Sequence, residues 1–267
     1  DPGNADFNAI GGGNIEEGGE LLIAIGVPDA LGDVNPLLAQ DSNSPYGKIL
    51  SFSVDRLSNV KEDSKNSFIL VSKGHRNPQS LIRVKNQILA IEHGPKGGDE
   101  INWIERGKNY GWPIYSFGTT YPGRPYKLIG DSSGGFESAL FNFIPSIAPS
   151  DAIACPRVLA KRYEAYDCII LSSLRGESLY VTLIDSNGSN RPSIKSIERI
   201  AVGMRIREFS RSATSNSENS IIFSTDGFGV FEGVFKNVAS FDNPVPQSWV
   251  LQPPNNSIFE ETKSHAK

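Results

Sequence analysis

Short β-type runs, bounded by turn formers and with no amphipathic helical stretch of ordinary length between them, constrain this chain more than any other feature. Residues 20–25, 48–54, 67–71, 87–91, 168–172, 178–184, 220–224 and 229–235 are rich in β-branched and aromatic residues or alternate in polarity. Two pairs, YDCIILSSLRGESLYVTLID at 166–185 and NSIIFSTDGFGVFEGVF at 219–235, flank a short glycine-containing turn and read as antiparallel hairpins. Without helices to cross over, a parallel α/β sheet is excluded, and the fold class is all-β. The units recur at irregular distances, which leaves both a sandwich and a propeller open.

Composition limits what such a fold can bind. A net charge of -4, with the basic residues dispersed, argues against a general nucleic-acid or anionic-membrane partner, and no apolar run reaches the length of a membrane-spanning helix. Gly 26 and Pro 17 in 267 residues suit many short elements joined by turns. Cys155 and Cys168 lack CxxC spacing and read either as two buried thiols or as one bridge.

One stretch, IEHGPKGGDEINWIERGKNYGWP at 91–113, combines too many turn formers for a helix with too many apolar residues for a linker. Within it, EHGPKGGDEIN at 92–102 and GKNYGWP at 107–113 follow GHRNPQSL at 74–81, and SLRGESLY at 173–180 and GMRIREF at 203–209 come later. In this order the motifs resemble the soluble quinoprotein glucose and aldose sugar dehydrogenases of the glucose/sorbosone dehydrogenase family, over roughly residues 18–235. The resemblance implies a six-bladed β-propeller that binds pyrroloquinoline quinone and calcium and oxidises sugars or alcohols. It also implies a periplasmic or extracellular location.

By resemblance, Arg76 and Asn77 lie near the quinone, Arg175 stands at a cationic cofactor contact, and Arg205 and Arg207 are further contacts. The chemistry agrees: a planar tricarboxylate calls for forked guanidinium donors and a hard cation that accepts oxygen ligands. Gly94 and Pro95 match positions whose backbone carbonyls hold the calcium; Asp99 supports that region and Glu100 belongs to a neighbouring structural calcium site. Arg205 and Arg207, at alternate positions, would share one face of a strand. Tyr110 and Trp112 read as packing aromatics.

The chain departs from the family's pattern at its start. Where the resembling enzymes place a catalytic histidine, Asn8 or Ala9 stands, and neither side chain is a base near neutral pH. The aspartate that pairs with it is replaced by Val27, with Asp29 two residues on, while His75, His93 and His265 align badly with the role. No catalytic residue is assigned, and glucose turnover by this chain is expected to be slow or absent. The expected architecture is a partial propeller ring over residues 1–239, lacking its first blade, followed by an extended tail over 240–267. A missing N-terminal segment or a second chain would complete the ring. The competing reading is a noncatalytic propeller module that binds a sugar or other small polar molecule.

Overall fold

The computed structural model describes residues 14–17, 20–27, 35–53, 68–126, 135–187, 191–210, 218–235 and 250–252. Within them the strands gather into four sheets that follow one another along the chain. The first holds β1 (Asn14–Glu17), β2 (Glu20–Ile25), β3 (Lys48–Ser53) and β4 (Phe68–Lys73) as an antiparallel meander. The second contains β5 (Asn77–Val84), β6 (Gln87–His93), β7 (Asp99–Ile104) and, after β8 (Lys108–Asn109) has paired parallel to β4 of the first sheet, β9 (Phe141–Phe143). β10 (Pro149–Ala154), β11 (Asp167–Ser173), β12 (Ser178–Asp185) and β13 (Ser193–Ala201) form the third. The fourth is β14 (Ile206–Phe209), β15 (Ser220–Thr225), β16 (Gly229–Val234) and β17 (Val250–Gln252). One short helix, α1 (Arg157–Arg162), separates β10 from β11, and no helix among the described residues is long and apolar enough to cross a membrane.

Each of the eight runs read from sequence contains a strand, and the chain is all-β as expected. Packing explains why some runs were so legible. Leu81, Ala90 and Ile104 of the second sheet pack on Leu22, Ile49 and Val71 of the first. Its other face gives Ile82, Leu89, Ile91 and Ile101 to Ile169, Leu171 and Tyr180 of the third. Ile170, Leu179 and Val181 then meet Ile206, Ile221 and Phe223 of the fourth. A sheet covered on both faces needs continuous apolar strands, which is what CIIL and LYV supply. The sheets meet through their first strands, β5 against β10 and β10 against β14. Among the described residues this row of sheets does not close on itself.

A buried carboxylate joins three of these first strands. Asp151 on β10 accepts from Ser80 Oγ of β5 at 2.8 Å and from the Phe209 amide of β14 at 3.0 Å. These contacts, with Ser150 Oγ donating to the Ile206 carbonyl at 2.6 Å, set β5, β10 and β14 side by side with their N-terminal ends at one level. That end is where the sequence motifs converge.

The register also decides between the two readings of the cysteines. Ala154 pairs with Ile169, so Cys155 and Cys168 stand directly opposite, and they form a disulfide with Cα atoms 5.4 Å apart. Closing so short a loop contributes about 3 kcal/mol in the chain-entropy account. Within the stretch expected to be a tail, Val250–Gln252 adds an outer strand to β16. Asn8, Ala9 and Asp29 lie outside the described residues.

Candidate functional site

The topology carries every candidate residue to the same end of the sheets. In each sheet the first strand begins where the turn between the next two lies, so Arg76 and Asn77 at the start of β5 meet the β6–β7 loop. Arg175 occupies the β11–β12 turn, and Arg205 and Arg207 flank the start of β14. A cleft of about 350 Å³ opens there, lined in part by Arg76, Asn77, Gly94, Pro95, Asp99 and Arg175. Six of the nine candidate residues are therefore gathered on one cavity. Glu100 lines a small, water-sized cavity next to it, with Arg76, His93, Gly94 and Pro95 common to both.

The HGPKGGDE segment is shaped by close backbone approach. A Cβ on Gly94 would sit 2.3 Å from the carbonyl oxygens of both Gly97 and Gly98, and Gly98 itself adopts φ of +70°, so only glycine fits these two positions. Asp99 closes the loop from below. Its Oδ1 accepts from the Gly94 amide at 3.0 Å, and its Oδ2 accepts from Ser146 Oγ at 2.7 Å and from the Ile147 and Ala148 amides at 2.8 Å each. Successive amides wrapped around an anion form a nest, and here the anion is the protein's own fully buried carboxylate. Ala148, which lines the cleft, is held there at φ of +50°, a conformation that a non-glycine residue adopts at a cost.

Arg76 is oriented before any ligand arrives. Its Nη1 donates to the Gly94 carbonyl at 3.0 Å, and its guanidinium lies 5.4 Å from the centre of the Trp112 ring. Its backbone amide donates to Glu92 Oε2, whose other oxygen accepts from His75 Nδ1 at 2.9 Å and from the Asn102 amide. Burial opposes the charge on Glu92, but His75 and these donors hold its carboxyl below the usual range. Glu100 is pushed the other way, up to about 8, by burial and by the charge on Glu92. Next to it Asn102 Oδ1 and the Tyr115 hydroxyl are buried without hydrogen-bond partners among the described residues. This corner is rich in oxygen, and Arg76 also lines it.

Arg175 makes no side-chain hydrogen bond or ion pair among the described residues, so its guanidinium stands open on the cleft. Arg205 and Arg207 behave differently. Both hold Asp226, with Arg207 donating at 2.9 and 2.6 Å and Arg205 at 3.1 Å, and neither lines the cleft. Hydrogen bonds from Arg207, then Arg205, keep the Asp226 carboxyl below the usual range. Val27 is a buried apolar wall packed with Ala39 and Trp112. Trp112 joins core packing to the site through Arg76, a role its sequence context did not signal.

Sequence reasoning set His93 aside, yet the residue lines both cavities. Burial, more than any other cause, holds it below its ordinary range. No group of three or more His, Cys, Asp or Glu side chains is arranged around a metal position among the described residues. Any cation at the Gly94 loop would therefore depend on backbone carbonyls.

A model of the family described as Glucose / Sorbosone dehydrogenase matches residues 8–227. Among characterised relatives, aldose sugar dehydrogenase YliI of Escherichia coli is 35% identical over 152 residues, 54% of this chain and 39% of that protein. Quinoprotein glucose dehydrogenase B of Acinetobacter calcoaceticus is 39% identical over 80 residues, 29% of this chain and 17% of that protein. The chain thus aligns with well under half the length of these relatives. The solved structure of the soluble aldose sugar dehydrogenase from Escherichia coli in its apo form superposes with a TM-score of 0.62 at 25% identity, covering 82% of this chain and 62% of the other.

Proposed function

Because the chain belongs to the glucose/sorbosone dehydrogenase family, we propose that its cleft binds pyrroloquinoline quinone with calcium, within a six-bladed propeller that oxidises sugars or alcohols. The observation that supports this reading best is one cleft lined by Arg76, Asn77 and Arg175 beside the Gly94–Pro95 backbone. The residues fit the cofactor. Two guanidinium groups and an amide suit a planar polycarboxylate, and about 350 Å³ lies within the roughly 300–1,000 Å³ of small-molecule sites. They also fit calcium, since the corner around Glu100 and Asn102 Oδ1 offers hard oxygens.

Bound there, the quinone would supply a two-electron acceptor and calcium a Lewis acid. The chain's own part is to bind and orient. Arg76 and Arg175 would hold carboxylates, the Gly94 and Pro95 carbonyls would hold the cation, and Asp99 holds the loop that presents them. Val27 keeps one wall apolar where the family has a carboxylate, which favours low turnover and keeps a noncatalytic binding role as the second reading. The disulfide fits export to an oxidising compartment.

A hydrolytic role is disfavoured by burial. Ser72 Oγ meets His75 Nε2 at 2.8 Å and His75 meets Glu92, a triad-like chain, but Ser72 and His75 are each 1% exposed and line neither cavity. A nucleophile must reach its substrate.

Calorimetric titration of metal-stripped chain with calcium chloride tests the metal part of the reading. Saturable binding with a rise in Tm is expected, and folded protein that shows neither at millimolar calcium would refute it.

A further inference from the structure

Lys48, the first residue of β3, is fully buried and pairs with no carboxylate among the described residues. Its Nζ donates instead to three backbone carbonyls, those of Leu38 and Ala39 at 2.9 Å each and of Tyr46 at 2.7 Å. A carbonyl only accepts, so three such bonds from one nitrogen need three hydrogens, which an ammonium has and a neutral amine lacks. Leu38 and Ala39 end a short 3-10 helix, Pro36–Ala39, whose last carbonyls have no partner within the helix. A buried charge is costly to keep, and what this one holds lies against the cleft.

The segment tied down by Lys48 supports the strand that carries Arg76. The Ala39 carbonyl also accepts from the Gly74 amide, and the Gly47 carbonyl accepts from the His75 amide, at 3.1 Å each. A Cβ on Gly47 would stand 2.5 Å from the Ala39 Cβ and 2.6 Å from the His75 carbonyl oxygen, so these backbones touch. Gln40 Nε2 donates to the Trp112 carbonyl, and the Trp112 amide donates to the Gly74 carbonyl at 2.9 Å. Arg76 thus leaves a backbone fixed by this segment and meets a Trp112 ring fixed by it as well.

We propose that Lys48 is a positioning residue for the quinone: its ammonium fixes residues 38–46, these fix Gly74, His75 and Trp112, and Arg76 is thereby set to hold a carboxylate. The assignment rests on the cofactor reading of the cleft and deepens it, since Lys48 lies outside every motif that carries the family resemblance. Lys48 lines neither cavity, so its effect on a ligand passes through Arg76.

A double-mutant cycle in the full chain, with pyrroloquinoline quinone titrated by absorbance in calcium chloride, tests this. K48M should bind the quinone roughly tenfold more weakly than wild type, yet add nothing to the loss in an R76A background, because an effect that passes through Arg76 cannot outlast it. Amide exchange in the quinone-free chain reads the support itself. The Gly74 and His75 amides should exchange roughly tenfold faster in K48M, a larger change than at Ile170 and Leu171 of the third sheet. If K48M does not fold, K48Q, which keeps two of the three hydrogens, supplies the same comparison with a roughly threefold loss. Equal losses in the wild-type and R76A backgrounds would overturn the proposal, as would wild-type quinone affinity in a folded K48M or K48Q. A wild-type chain that binds no quinone would refute the reading of the cleft and this assignment with it, and the exchange at Gly74 and His75 would still show what Lys48 holds.

Discussion

Replacing Asp99 with alanine is expected to lower the unfolding free energy by about 4 kcal/mol, which for a chain of this size is a fall in Tm of roughly 8–16 °C. The carboxylate is fully buried and accepts four hydrogen bonds, from Gly94, Ser146, Ile147 and Ala148. Alanine would leave the Gly94 and Ile147 amides without an acceptor and the Ala148 amide with only Ser146 Oγ at 3.3 Å, and would free Ala148 from a backbone conformation that the nest stabilises. Asp99→Asn retains one acceptor oxygen but turns an amide group against a donor, and about half the loss is expected. The effect should be the same with calcium and with chelator, because both oxygens are already engaged inside the protein. Thermal unfolding in the two conditions checks this. A loss that appears only when calcium is present would mean that Asp99 is a metal ligand and that the nest is secondary.

The second large effect belongs to Arg76. Arg76→Ala should weaken quinone binding about 30- to 100-fold, the equivalent of roughly 2–3 kcal/mol for a charged, forked contact. Arg76→Lys keeps the charge without the fork or the stacking on Trp112, and an intermediate loss is expected. Arg205→Ala and Arg207→Ala should each cost less than about tenfold, since Asp226 already occupies both guanidinium groups and neither lines the cleft. Absorbance or fluorescence titration of the four variants supplies the comparison. Equal losses at Arg76 and Arg205 would place the cofactor against the fourth sheet and displace Asp226 from its arginines.

Alternation and apolar runs made the inner strands of the third and fourth sheets legible, because strands covered on both faces leave few choices of residue. β5 was hidden by its opening Asn-Pro-Gln, which reads as a turn, and β13 by the charged, exposed side chains of KSIER. The cysteine pairing depended on β10–β11 register, which no spacing rule predicts. The site divides in the same way. Gly94, Pro95, Asp99, Arg76, Asn77 and Arg175 were singled out through motifs that resemble the family, and the structure brings these six to one cleft because their motifs open strands and turns at one level of the sheets. His93 was passed over in sequence, and the carbonyl that fixes its ring, that of Pro149, lies 56 residues away. The Arg205–Arg207 pair could be seen in sequence, but its neutralisation by Asp226 is a tertiary contact.

Whether the cleft at the Arg76 end is a quinone and calcium site is tested most directly by a crystal structure of the full chain grown with pyrroloquinoline quinone and calcium chloride. Planar ligand density is expected between Arg76 and Arg175, touching Asn77, with a cation at roughly 2.3–2.6 Å from the Gly94 and Pro95 carbonyl oxygens. Quinone density against the Arg205–Asp226–Arg207 cluster, or a cleft without ligand density in crystals whose dissolved protein contains bound quinone, would contradict it.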